Sequence, residues 1–323
     1  MNNKKSLRLR EWFLMVLIGL VPGQEGRAQT DANASSAIIG FRRIQWGEGW
    51  HAMGPPLEPF AVIRGTAKGL QKNQVTLDLI ADAATWQTDQ WRGYETCITS
   101  GLAAGRRYEI LGNDVSSLML SGDPGADGVL PGDAVSILPT IEEYLGNQLM
   151  SGEITACDWV ATYANNTLTR LHRMPNGQWL DDKGRPVRLT VACGTGFMLN
   201  VFPGNTRTLL LAGVWNGEQG GSSVTPGYQL ISLPINSSPK TLDLTFGPAS
   251  QGIGPKAGAT PDASDQFSIL DETTGVFRES WLDAAQGLWR WQDTGDKAGN
   301  LLLELGRGYL YYHAGGGFNW NWR

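Results

Sequence analysis

The second half of this 323-residue chain repeats the first, and the first copy is interrupted by a long foreign stretch. Gly49-Trp50-His51-Ala52-Met53-Gly54-Pro55-Pro56-Leu57 lines up with Gly227-Tyr228-Gln229-Leu230-Ile231-Ser232-Leu233-Pro234-Ile235. Ala156-Cys157-Asp158 lines up with Ala263-Ser264-Asp265, and Gly177-Gln178-Trp179 with Gly287-Leu288-Trp289. Gly194-Thr195-Gly196-Phe197-Met198-Leu199 then matches Gly306-Arg307-Gly308-Tyr309-Leu310-Tyr311. Weak matches in a conserved order constrain a fold more than any one of them, because chance scrambles order. Gly49 and Gly194 are 145 positions apart, whereas Gly227 and Gly306 are 79 apart, so the first copy holds an extra module of 66 residues.

That module shows itself independently between residues 75 and 138. Val75/Leu77/Leu79, Tyr108/Ile110, Leu118/Leu120 and Val135/Ile137 alternate with polar neighbours, the period of half-buried strands. Gly-rich turns separate them, which predicts a small barrel or sandwich of four to six strands. Thr140 three residues before Glu143 is a capping box, and Gly146 ends the short helix it opens. Leu242/Leu244/Phe246, Tyr309/Tyr311 and Phe318/Trp320/Trp322 also read as strands. The expected fold is all-β. Two related antiparallel sheet-rich units (37–215 and 224–323) form it, with a small β-barrel or sandwich module (66–147) inserted in the first.

Ahead of these lie two further segments. Residues 1–28 have a basic start (Lys4, Lys5, Arg8, Arg10), an apolar run over 12–21 and the small residues Gly26 and Ala28. This is the pattern of a cleaved signal peptide, with too short a run to span a bilayer. Residues 29–36 read as a flexible leader. Cleavage leaves 21 basic and 29 acidic residues, a net charge of −8. That excess opposes binding to nucleic acid or an anionic membrane surface. The chain is therefore expected to be secreted, periplasmic or on the cell surface, without a transmembrane span after cleavage.

Cys97, Cys157 and Cys193 are an odd number for such a compartment. Membership of one repeat favours a Cys157–Cys193 bridge; three buried free thiols are the alternative.

Gly227-Tyr228-Gln229-Leu230-Ile231-Ser232-Leu233-Pro234, Gly306-Arg307-Gly308-Tyr309 and the inserted residues 94–110 resemble motifs of a group of uncharacterised secreted bacterial β-rich repeat proteins. The resemblance covers most of the chain after the signal and implies no established activity.

No chemistry-bearing motif stands out. His51, His172 and His313 lack ligand or triad spacing, so no catalytic residue is assigned. Asp158 and Asp265 recur at equivalent positions, and Asp181 and Asp293 approximately so. An acid present in both copies is read as a device for chain geometry. Asp123 and Asp127, with Asp133 nearby, resemble part of a calcium loop, although Gly125 and Ala134 occupy positions where ligands are wanted. Apart from calcium there, no cofactor is expected.

Trp281, Trp289, Trp291, Tyr309, Trp320 and Trp322 crowd the C-terminal copy. Such rings stack on sugars or fill a core. The expected function is a non-enzymatic structural, adhesive or carbohydrate-contacting protein, with polysaccharide or other surface proteins as partners. The alternative is a polysaccharide hydrolase using carboxylates between the two units.

Overall fold

The computed structural model describes residues 38–79, 86–164, 166–215, 220–233, 240–247 and 254–322; the segments expected to be a signal and a leader lie outside them. The chain is all-β. It opens with β1 (Ile38–Trp46) and β2 (Gly49–Met53). It then runs through β3 (Ile63–Gln71), β4 (Gln74–Leu79), β5 (Glu95–Ile98), β6 (Arg107–Asn113), β7 (Ser117–Leu120) and β8 (Ala134–Ile137). Helix α1 (Ile141–Leu145) follows, then β9 (Trp159–Ala164), β10 (Thr167–Arg173), β11 (Trp179–Asp181), β12 (Phe197–Val201) and β13 (Arg207–Trp215). After β14 (Gly220–Val224), β15 (Gly227–Ser232) and α2 (Leu242–Thr245) come β16 (Gln266–Asp271), β17 (Val276–Asp283), β18 (Leu288–Trp291), β19 (Gly308–His313) and β20 (Phe318–Trp322). No helix among the described residues is long and apolar enough to cross a membrane.

Strands β3 to β8 close into a barrel in the order β3-β4-β7-β6-β5-β8. Period-two alternation puts Val75, Leu77, Ile98, Tyr108, Ile110, Leu118, Leu120, Val135 and Ile137 inside. Register shifts at Ala67/Gly69 and Ile110/Gly112 mark β-bulges, which help a short-stranded sheet curl shut. Leu111, at the second bulge, faces solvent as the alternation with Ile110 requires. Helix α1 forms as its capping box dictates. The Thr140 hydroxyl accepts from the Glu143 amide, and Glu143 Oε2 accepts from the Thr140 amide at 2.7 Å.

Two five-stranded sheets are ordered β2-β12-β9-β10-β11 and β15-β19-β16-β17-β18; in sequence the barrel lies within the first, between β2 and β9, and the second follows. Replacing each strand of the first by its sequence match gives the second. The registers match as well. Met53 pairs Phe197 as Ile231 pairs Tyr309, and Val160 pairs Leu171 as Phe267 pairs Ser280. Each sheet has an associated two-stranded ribbon, β1-β13 and β14-β20. One face of each sheet builds a core: Val160, Leu171, Trp179, Phe197 and Leu199 in the first, Phe267, Leu282, Trp289, Tyr309 and Tyr311 in the second.

The sheets meet along a seam whose contacts also come in matched pairs. Met53 bridges Arg307 while Ile231 bridges Thr195. The Gly54 amide donates to the Gly306 carbonyl at 3.2 Å, and the Ser232 amide to the Gly194 carbonyl at 3.0 Å. The second glycine of each Gly-x-Gly makes this approach possible. A Cβ on Gly308 would lie 2.6 Å from the Met53 nitrogen, and one on Gly196 would lie 2.8 Å from the Ile231 oxygen.

One local expectation is corrected. Leu242, Leu244 and Phe246 are not a strand: residues 242–245 form α2, capped by the Thr241 hydroxyl. Leu242 and Phe246 share a helical face and are buried, whereas Leu244 faces water.

Candidate functional site

The duplicated acids come first because their chemistry decides between enzyme and scaffold. Both are buried at the start of equivalent strands. Asp158 Oδ1 accepts from the Phe202 amide at 2.9 Å, and Asp265 Oδ1 from the Ala314 amide at 2.8 Å. These amides each follow the paired strand, β12 or β19, so the same carboxylate fastens the same backbone turn. A cation completes each clasp. Arg207 Nε lies 2.5 Å from Asp158, whose Oδ2 also takes the Met150 amide. His313 Nδ1 lies 2.9 Å from Asp265, which also accepts the Tyr311 hydroxyl. With every oxygen engaged, neither acid is placed to protonate a leaving group or attack a sugar.

His313 carries a consequence for pH. Its Nε2 faces the Gly316 carbonyl at 2.6 Å and its Nδ1 faces a carboxylate, so both nitrogens must donate and the ring is an imidazolium. Burial alone pulls its pKa down. The Asp265 hydrogen bond, the Gly316 carbonyl and the Asp265 charge outweigh burial and the nearby Lys256, and the pKa ends above the ordinary 6.5. A raised folded-state pKa stabilises fully below the unfolded value and loses that contribution as pH climbs through the folded one. Thermal unfolding should therefore show a melting temperature that falls as pH rises above about 6.5, and His313→Gln should flatten the fall.

Asp181 and Asp293 are not equivalent. Register places Asp181 opposite Leu171 and Trp291 opposite Ser280, so the counterpart of Asp181 is Trp291. Asp181 caps its own turn through the Lys183 and Arg185 amides, and Asp293 pairs with Arg278 on the surface.

The cysteines are all free. Cys157 and Cys193 do not pair because β9 and β12 run antiparallel. Cys157 precedes Trp159, which faces Asn200, whereas Cys193 precedes Phe197. The length of β12, on the order of 15 Å, lies between the two ends, against about 6 Å for a bridge. Burial raises all three thiols, Cys97 to about 12 and Cys157 to about 11, which leaves them inert.

Asp123, Asp127 and Asp133 do not converge. Asp123 caps the Ala126 amide, Asp127 holds the Tyr108 hydroxyl and Arg106, and Asp133 caps the Leu130 amide. Among the described residues no three His, Cys, Asp or Glu side chains are grouped to hold a metal.

The C-terminal aromatics divide by sheet face. Trp289, Tyr309 and Trp320 are core residues, with Trp289 fully buried and its indole N–H donating to the Phe246 carbonyl at 2.7 Å. As ligand contacts they are corrected: they pack among Ile231, Leu233, Leu242, Leu282 and Leu303 in the second core. Trp291 sits at the core margin with the Arg278 guanidinium 4.0 Å above its ring, so that face is taken. The Trp322 side chain lies outside the described residues. Trp281 points to the opposite, outer face, because its neighbour Leu282 points inward.

That outer face carries an arrangement the aromatic count does not reveal. Tyr228 pairs Tyr312, Tyr312 pairs Gln266, Gln266 pairs Trp281, and Trp281 pairs Arg290, so the five side chains form one row across five strands. Tyr228 is 37% exposed, Tyr312 and Trp281 are half-buried, and Gln266 between them is buried, its Nε2 donating to the Pro261 carbonyl at 3.1 Å. Tyr163, from β9 of the other sheet, extends the row, its ring 5.8 Å from Tyr228, which lies 4.8 Å from Tyr312. Asn166, held at φ 61, anchors the start by accepting the Tyr228 amide at 2.6 Å. Arg290 is occupied by Asp283 at 2.9 Å, and Glu279 is exposed on the same face. The repeat alignment of Trp50 with Tyr228 signals a recurring aromatic there, but nothing in sequence links Tyr163 or Gln266 to it. No protein family, curated protein or solved structure matches the chain.

Proposed function

We propose that this chain is an exported, non-enzymatic surface protein that holds neutral polysaccharide on the Tyr312–Gln266–Trp281 row. The observation that carries the reading is the ring–carboxamide–ring order on three adjacent strands, on the face turned away from the core. Two strand spacings separate the rings, about 10 Å, the span of a disaccharide. Rigid rings offer apolar faces to sugar C–H groups, and the buried Gln266 carboxamide between them, tied to the Pro261 carbonyl at 3.1 Å, fixes their spacing. Charge argues for a neutral ligand. The chain is net −5, Glu279 borders the row, and Arg290 is already neutralised by Asp283. The hydrolase alternative loses its best acids, since Asp158 and Asp265 are consumed by backbone clasps.

Affinity electrophoresis through gels containing neutral glucan or mannan tests this. Tyr312→Ala combined with Trp281→Ala should lower retention at least tenfold with little change in melting temperature, because neither ring is in the core. Trp291→Ala should leave retention unchanged. Unaltered retention of the double variant, or no retention of the wild type on any neutral polymer, would refute the reading. Reducing ends released by pure protein would refute its non-enzymatic part.

A further inference from the structure

We infer that the first sheet carries a second polysaccharide site, Trp50–Asn200–Trp159, so that the chain binds its polymer bivalently; this rests on the function proposed above. Asn200 pairs Trp50 on one side and Trp159 on the other, so the three occupy adjacent strands β2, β12 and β9. Their neighbours Leu199 and Val160 point into the first core, which turns the three to the outer face. All three are half-buried. The order ring, carboxamide, ring is that of Tyr312–Gln266–Trp281, with the same two-strand spacing of about 10 Å.

The two sites are not copies residue for residue. By strand register, Trp50 corresponds to Tyr228, Asn200 to Tyr312, Trp159 to Gln266 and His172 to Trp281. Each row thus holds three rings and one carboxamide, with the order of the middle two exchanged.

A third ring lengthens the first row. His172 extends it beyond Trp159, its ring 5.2 Å away, and its buried Nδ1 has no hydrogen-bond partner. The row of Trp50, Asn200, Trp159, His172 and Leu180 contains no Asp, Glu, Lys or Arg, which suits a neutral ligand; the exposed Arg170 lies one row away on the same face.

Titration calorimetry of the full chain with a neutral hexasaccharide of β-linked glucose, backed by retention on the parent polymer, tests the inference. Wild type should bind two hexasaccharides. Trp50→Ala with Asn200→Ala should bind one, as should Tyr312→Ala with Trp281→Ala, and the four-fold variant none. Either double variant should lose on the order of 100-fold in polymer retention, because the second contact of a bivalent binder is intramolecular. Trp50→Ala alone, the mildest change, should already weaken one of the two events while leaving the melting temperature within a few degrees. A wild-type stoichiometry of one, abolished by the Tyr312/Trp281 pair and untouched by Trp50→Ala, would overturn the second site and leave the proposed function standing. No binding by any form would overturn both.

Discussion

Asp265→Ala should lower the melting temperature by about 10 °C or more, and Asp158→Ala should do nearly the same. Removing Asp265 strands a buried imidazolium, the Ala314 amide and the Tyr311 hydroxyl without their acceptor. Removing Asp158 strands Arg207, the Met150 amide and the Phe202 amide. Breaking a buried ion pair from one side costs about 3–5 kcal/mol, a large part of the 5–15 kcal/mol that holds a typical domain. The experiment also separates scaffold from catalyst. Catalytic acids sit in strained, destabilised surroundings, and their removal tends to be neutral or stabilising. If differential scanning calorimetry found either alanine variant as stable as wild type, the clasp would not be holding the strands.

The second large effect concerns the seam. Gly308→Ala and Gly196→Ala should each cost about 3 kcal/mol, or roughly 6–12 °C in melting temperature. The added methyl meets backbone on the opposing sheet in both cases: the Met53 nitrogen and oxygen at 2.6 and 2.8 Å, or the Ile231 oxygen at 2.8 Å. Backbone cannot rotate aside as a side chain can, so the whole seam must open. Gly47→Ala is the control, because nothing lies within 4 Å of its Cβ and its φ is not left-handed; it should change little. Equal stability of all three variants in chemical denaturation would show that the sheets do not touch where these glycines lie.

Much of the architecture was legible because period-two patterns need no partner to be read. The alternation of Val75/Leu77, Leu118/Leu120 and Val135/Ile137 gave the barrel strands, and Thr140/Glu143 gave helix α1. Leu242/Leu244/Phe246 failed because three alternating apolar residues also satisfy an i, i+4 pair, and the Thr241 cap was the overlooked discriminator. The site was harder. Aromatic density along 281–322 is a one-dimensional signal, whereas binding depends on which face each ring takes. Tyr311 and Tyr312 are adjacent, yet one is buried against Asp265 and the other lies beside Tyr228. Rows such as Trp50–Asn200–Trp159 exist only once strand order and register are fixed, since their members lie up to 150 residues apart. The disulfide expectation failed for the same reason: shared repeat membership says nothing about which end of an antiparallel pair a cysteine occupies.

The two sheets match in strand order and register and are joined through matched contacts. Native-state hydrogen exchange followed by NMR reads this in the wild-type protein. The Gly54 and Ser232 amides, which make corresponding bonds across the seam to Gly306 and Gly194, should both exchange slowly and with similar protection. Exchange of either at the rate of an open loop, with the other protected, would mean that the seam is not built from equivalent halves.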